Sequence, residues 1–344
     1  MNQKMGPHLD IRPQWLARHA EEVLEPDLPI IDPHHHLVDR PEHGTYLLPE
    51  LLADLGSGHR IEATVYLEWM SMYRADGPVE MQPVGEVEFA NGVAAMSASG
   101  VYGPTRACAG IVGHAELTLG SDVARVLEAM ASAAGERLRG VRFIACSDPD
   151  QDEWGVRRIR PLGQLRDPKV REGFAQLAPL GLSFDTWVYH PQLADVADLA
   201  RAFPDTPICV DHVGGPIGLG RFKGRRSEVF ADWRQRIREL AACPNVHIKL
   251  GGMGMKMFGF GFHEGESAPG SEQLAKAWRP YVETCIEAFG TKRAMFESNF
   301  PVDKSSYGYG VYWNACKRLA RHLSASEKAD VFHDTASRFY RLGL

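Results

Sequence analysis

Apolar and polar positions alternate along the chain in blocks that predict a repeating strand-helix order. Leu28-Pro-Ile-Ile31 is a short apolar run that leads straight into Asp32-Pro-His-His-His-Leu37. Strand-like runs then recur over Ile61 to Trp69, Ala107 to Leu117, Leu138 to Cys146, Leu182 to His190, Pro207 to Gly214, Asn245 to Gly252 and Arg293 to Phe300. Helical spacing of apolar residues marks Val123 to Ala134, Val170 to Leu180, Leu193 to Phe203, Glu228 to Ala242 and Gln273 to Phe289 between them. Eight strands alternating with helices predict a parallel (β/α)8 TIM barrel spanning residues 29–344. An arm over residues 1–28 precedes it, with a helix expected at Trp15 to Leu24. A last helix should begin near Ser324, where Glu327 completes a capping box.

In such a barrel, chemistry collects at the carboxyl ends of the strands. Side-chain alternation predicts that Asp32, His34 and His36 share one face of the first strand, with His35 on the other. Two imidazoles on one strand end are costly in a core and useful for gripping a metal or polarising a carbonyl. In Val246-His-Ile-Lys-Leu250 the apolar residues should face the helices, which turns His247 and Lys249 toward the barrel axis. The same parity points Arg142 inward, along with Asp185, Trp187 and Tyr189; His190 follows at the turn, and Glu68 ends the second strand. His212 precedes a Gly-Gly-Pro turn at the end of the sixth.

Four motifs in order carry a family resemblance: Asp32-Pro-His-His-His-Leu37, Asp211-His-Val-Gly-Gly-Pro216, Val246-His-Ile-Lys-Leu-Gly-Gly252 and Met295-Phe-Glu-Ser-Asn-Phe-Pro-Val-Asp303. The chain resembles the amidohydrolase superfamily, in its second large family, and within that the branch of sugar lactonases and 2-pyrone-4,6-dicarboxylate lactonase. The resemblance implies a barrel of the amidohydrolase type with His34, His36 and His212 clustered at its floor. It also implies a hydrolase opening a lactone or related cyclic carbonyl compound, with a zinc-dependent decarboxylase or a non-catalytic binding protein as alternatives.

The last motif departs from the family pattern, in which Gly-Ser-Asp supplies a carboxylate as metal ligand or base. Here Asn299 stands at the Asp position and Glu297 at the Gly position. An amide takes no proton from water at neutral pH, although it can hydrogen-bond a developing oxyanion. Glu297 is therefore the first candidate for the base, followed by Glu68 or Asp303; loss of hydrolysis is the third reading. A buried ion pair between Glu297 and Lys249 or Arg142 is the structural alternative. His34, His36 and His212 could supply three ligands to a divalent metal, zinc first. The resemblance equally allows a metal-free site in which they touch substrate. No organic cofactor is expected.

The residues expected to meet substrate are Glu68, Arg142, Tyr189, His190, Lys249 and Asp303, a set suited to a small, cyclic, carboxylated molecule. Glu86, His114 and Glu116 could reach the same mouth. Two loops should cover it, one from Met70 to Glu86 and a Gly, Met and Phe-rich one from Met253 to Ser271; the apolar side chains of the second suit a lid or a subunit contact.

Charge and cysteine usage narrow the partners. A net charge of -6 without a dense basic run argues against nucleic acid. No stretch reaches membrane-spanning length and the polar start lacks a signal-peptide core, so a cytoplasmic location is expected. The six cysteines lie far apart, as buried reduced thiols would. A homo-oligomer is compatible with all of this.

Overall fold

The computed structural model describes residues 10–41, 44–151 and 160–344. Eight parallel strands form one sheet in sequential order: β1 (Ile30–His35), β2 (Ile61–Leu67), β3 (Arg106–Gly113), β4 (Leu138–Arg142), β5 (Ser183–Thr186), β6 (Ile208–Val210), β7 (Val246–Gly251) and β8 (Ala294–Glu297). Beyond the ladder proper, Asn299 N donates to His34 O at 2.9 Å and His36 N donates to Phe300 O at 2.8 Å, which draws the end of β8 against β1. The sheet is thereby a nearly closed (β/α)8 barrel.

All eight expected strands are present, and all after the first are shorter than the runs expected for them. After Arg142 and Thr186 regular strand ends, although Phe143 N and Ala145 N still donate to Asp185 O and Trp187 O, so Phe143 to Cys146 and Trp187 to Tyr189 read as strand while forming the barrel's upper loops. The five expected helices appear as Ala124–Ala134, Pro168–Phe174, Leu193–Ala202, Arg226–Ala241 and Ser271–Phe289. Ser324 caps its helix by accepting from Glu327 N, and the Glu327 side chain returns to Ser324 N, as a capping box requires.

Three expectations are corrected. The arm helix covers only Pro13–Leu16: Ala17, Arg18 and His19 still bond back to Pro13, Trp15 and Leu16, but further along the backbone is held by side chains of the barrel's helices instead. Asn314 Oδ1 accepts from Leu24 N, while Lys317 Nζ donates to the carbonyls of Leu24 and Glu25. Residues 1–9 of the arm lie outside the described residues. Second, the loop expected from Met70 to Glu86 ends early in a helix over Val84–Ala98. Third, Asp32 does not share a face with His34 and His36. The register between β1 and β2 shifts after Asp32, at Pro33, and Asp32 turns outward to accept from Ser298 N and Tyr309 OH.

Inside the barrel, Ile31, Ala63, Val65, Leu67, Val112, Cys209 and Met295 pack with Ala336, Phe339, Tyr340 and Leu342. The final helix (Thr335–Phe339) and the residues after it thus plug the amino end of the cylinder. His247 faces this plug and packs at a tilt against Phe339 with ring centroids 4.7 Å apart, whereas Lys249, two residues on, faces the carboxyl end. All six cysteines are buried and unpaired. Among the described residues no helix is long and apolar enough to cross a membrane.

The loop from Met253 to Ser271 packs inward. Met253, Met255, Met257, Phe258 and Phe262 are buried, and Phe262 meets Trp278 edge-on. The arm holds it from outside: Arg12 and Trp15 donate to the carbonyls of His263 and Gly265, and Glu21 accepts from Ser271 N. Its apolar side chains belong to this chain's own core.

Glu86, on the helix that follows β2, is fully buried. Its Oε1 accepts from Tyr66 OH, Trp69 N and Ser71 N, which pins the loop leaving β2. Burial, with Glu68 nearby, pushes this carboxyl up to about 7, and burial pushes Asp32 up to about 6. A carboxyl whose folded value is raised stabilises the fold fully below its ordinary value and loses that contribution as pH rises through the folded value. Each tenfold tightening of proton binding on folding is worth ~1.4 kcal/mol. Burial holds His34, His35, His36, His59, His190 and His247 below their ordinary values, which acts on the overall midpoint in the opposite sense, so the carboxyl contribution is read as a difference: the thermal midpoint of the parent should fall relative to that of Glu86→Gln as pH rises through about 7. A difference between the two that stays constant from about pH 5 to about pH 8 in a calorimetric series would contradict this assignment.

Candidate active site

His34, His36 and His212 meet at the carboxyl end of the barrel, all at or below 2% exposure. The His34 ring lies in the middle, 4.9 Å from His36 and 4.7 Å from His212. His212 and Asn299 both adopt left-handed backbone angles, φ 55° and φ 57°. Non-glycine residues hold that conformation only where their surroundings fix it, and such positions gather at functional sites. Gly252 makes room for His212: a Cβ there would stand 2.2 Å from its Nδ1.

Glu297 is fully buried and joins two of the imidazoles. Its Oε1 accepts from both the backbone N (2.9 Å) and Nδ1 (2.7 Å) of His212, and its Oε2 lies 2.6 Å from Nδ1 of His34. Burial alone would raise this carboxyl; His212 and His34 pull it well below the usual carboxylate range. Leu67 O accepts from Nδ1 of His36 at 2.9 Å. Each of the three Nδ1 atoms therefore faces an acceptor and carries the proton, which leaves each Nε2 as a lone pair. Burial with Lys249 beside it holds His34 well below its ordinary value, against the pull of Glu297. Burial and Arg142 do the same to His36.

These lone pairs decide what the site can accept. Nε2 of His34 and Nε2 of His36 are 3.2 Å apart, and Asn299 Oδ1 lies 3.3 Å from the latter. The Asn299 amide is oriented by its Nδ2, which donates to Asp303 Oδ1 at 3.0 Å. Acceptors facing acceptors in a buried site call for a cation or a donor between them. Two nitrogens bound tetrahedrally to one zinc ion would be about 3.3 Å apart. The setting is acidic: Glu68, Asp185, Asp211 and Glu297 are buried in the same cluster as Lys249 and Arg142. The residues present thus fit a divalent cation.

His34, His212 and Glu297 offer ligand atoms within 4.8 Å of one another. Glu297, however, already serves the Nδ1 side of both rings, as the carboxylate behind a metal-binding histidine commonly does. Arg142 Nη1 sits 3.2 Å from Nε2 of His34, so a cation and the guanidinium compete for that lone pair.

The other expected site residues divide. Arg142 points inward as parity requires, with Nε 3.1 Å from Glu68 Oε1 and another nitrogen donating to Glu68 O. Lys249 Nζ is enclosed, 2.8 Å from Asp185 and 3.0 Å from Asp211. Asp303 is buried behind Asn299, accepts from Gly254 N and Tyr307 OH, and is pushed up to about 6 by burial. Tyr189 stands behind Trp187, whose ring packs edge-on to His212 at 5.6 Å. His190 faces away, with Nδ1 near Ile217 N and its ring against Phe222. His114 Nδ1 donates to Arg142 O, and Glu116 pairs with Arg160, which keeps both beside β4.

One central residue escaped the sequence reading. Asp211 lies 3.5 Å from Nδ1 of His34 and 3.5 Å from Arg142. It stands in the second motif, two residues after the inward Cys209, so strand parity could have found it.

Residues 31–342 match the amidohydrolase family. The uncharacterized protein y4mH of Sinorhizobium fredii is 33% identical over 339 residues, covering 92% of this chain and 99% of that one. An L-fucono-1,5-lactonase of Burkholderia ambifaria is 29% identical over 215 residues, 61% of this chain and 63% of that protein. A crystal structure of a Burkholderia multivorans amidohydrolase with bound zinc shares the fold, with a TM-score of 0.68 at 23% identity over 91% of this chain and 99% of the other. The chain belongs to the amidohydrolase family.

Proposed function

We propose that the protein opens the ring of a small lactone by attack of water at the histidine cluster. The observation that carries this reading is Glu297 joined to Nδ1 of both His34 and His212. A carboxylate fixing an imidazole's tautomer is the arrangement that makes the opposite nitrogen a directed base. His212 takes the proton of the attacking water at Nε2, and Glu297 stabilises the imidazolium that forms, instead of taking the proton itself. Arg142 holds the substrate's carbonyl or carboxylate oxygen, and Trp187 walls off His212 from bulk water. A divalent ion held by His34 and His36, with Asn299 as a neutral ligand, would supply Lewis-acid polarisation and a more acidic water. Asp303 fixes the Asn299 amide.

The substrate class follows from these groups and from the lactonase likeness: a small cyclic ester with hydroxyl or carboxylate substituents. Residues 29–344 form the catalytic unit, with the arm as its outer strap, and the buried thiols suit the reducing cytoplasm. The test is proton release from a panel of sugar-acid and pyrone lactones. Turnover of at least one, lost in His212→Ala with the melting curve retained, is the expected result. Carbon dioxide release from an aromatic acid, with every lactone untouched, would replace this reading with decarboxylation.

A further inference from the structure

Beneath the histidines lies a second buried polar group that the proposed reaction does not use directly. Lys249 Nζ donates to Asp185 Oδ1 (2.8 Å) and lies 3.0 Å from Asp211 Oδ1, which in turn is 3.5 Å from the protonated Nδ1 of His34; the ammonium sits beside that Nδ1 at 3.2 Å as a second donor. Asp185 Oδ1 also accepts from Tyr340 OH at 2.5 Å. Tyr340 comes from the plug at the opposite, closed end of the barrel, and its ring lies 5.5 Å from the Lys249 ammonium. All five side chains have zero exposure. An unbroken line of contacts thus runs from the last helix, up the axis, to the central histidine.

A stability argument does not account for this line. Burying a lysine and two carboxylates carries a large desolvation cost, and well-packed apolar residues in their place are often neutral or stabilising. The surrounding layer is apolar and could have continued upward. What the charged line does accomplish is placement. Lys249 has no open side toward the mouth, and Asp211 is held between Lys249, His34 and Arg142.

We propose that Tyr340 is a positioning residue of this site, acting through Asp185 and Lys249 to set Asp211 and the His34 ring; this rests on the hydrolytic reading above. Phe339 is its neighbour in the same plug, touches His247 and has no polar link to the cluster. That pair gives an internal control. Tyr340→Phe is expected to lower kcat about tenfold, with KM within about twofold and a melting temperature close to that of the parent. Phe339→Leu should lower the melting temperature and leave kcat unchanged.

A second readout does not depend on turnover. In protein labelled with 15N-histidine, Tyr340→Phe should move the ring signals of His34, and Phe339→Leu should not. If no lactone is ever turned over, the hydrolytic reading fails while the ring signals still test the line. Unmoved His34 signals in Tyr340→Phe, or equal kcat losses in both variants, would overturn the proposal.

Discussion

Glu297→Gln should lower kcat by about a thousandfold while leaving the fold intact and KM within about threefold. The carboxylate accepts from two imidazoles at once, through a different oxygen for each. An amide has only one acceptor oxygen. One of His34 or His212 then meets an NH2 group and must give up its Nδ1 proton, which moves the proton to Nε2 and closes the lone pair the site presents. No rotation of the side chain avoids this, because the two rings need the same chemistry at both oxygens. Steady-state kinetics beside a melting curve would measure it. A variant within tenfold of the parent would show that neither tautomer matters to turnover.

Removal of metal carries the other large effect. Protein purified without added metal should hold about one divalent ion per chain, and chelation should reduce turnover at least about a hundredfold, with zinc restoring it. One ion is the expected limit. Lys249 and Arg142 already stand 3.0 and 3.5 Å from Asp211, so two resident cations fill the neighbouring positions and cancel the charge a second ion would need. Two ions per chain would refute that limit. Turnover that survives chelation would mean that the histidines and Arg142 act on the substrate themselves.

How much of this was readable beforehand differs from residue to residue. The eight strands stood out because parallel strands buried on both faces leave continuous apolar runs. Their ends did not, since buried loops such as Trp187 to Tyr189 carry the same residues. Parity predicted Arg142 and Lys249 correctly from Val141 and Ile248, then failed at Asp32, where Pro33 interrupts the ladder and the face reverses. The helix over Val84–Ala98 was hidden because its apolar positions do not fall on one stripe; it buries Gly85 and Glu86 beside Val84 and Val87. His190 looked like a site residue by position, yet the turn beyond Tyr189 carries it to the outer face. Tyr340 had no local signal at all, because its partner Asp185 is 155 positions away.

The first and last strands come together through hydrogen bonds made by the backbones of His34, His36, Asn299 and Phe300. Three of those four residues also contribute side chains to the histidine cluster. Anything bound between His36 and Asn299 therefore acts as a clasp on the cylinder, fastening residues that are 263 positions apart. Amide exchange at His36 and Asn299 should slow when the clasp is fastened and quicken when it is released, more than at any amide on the opposite side of the wall. Occupancy of the site and integrity of the barrel's last joint would then be read from the same two protons.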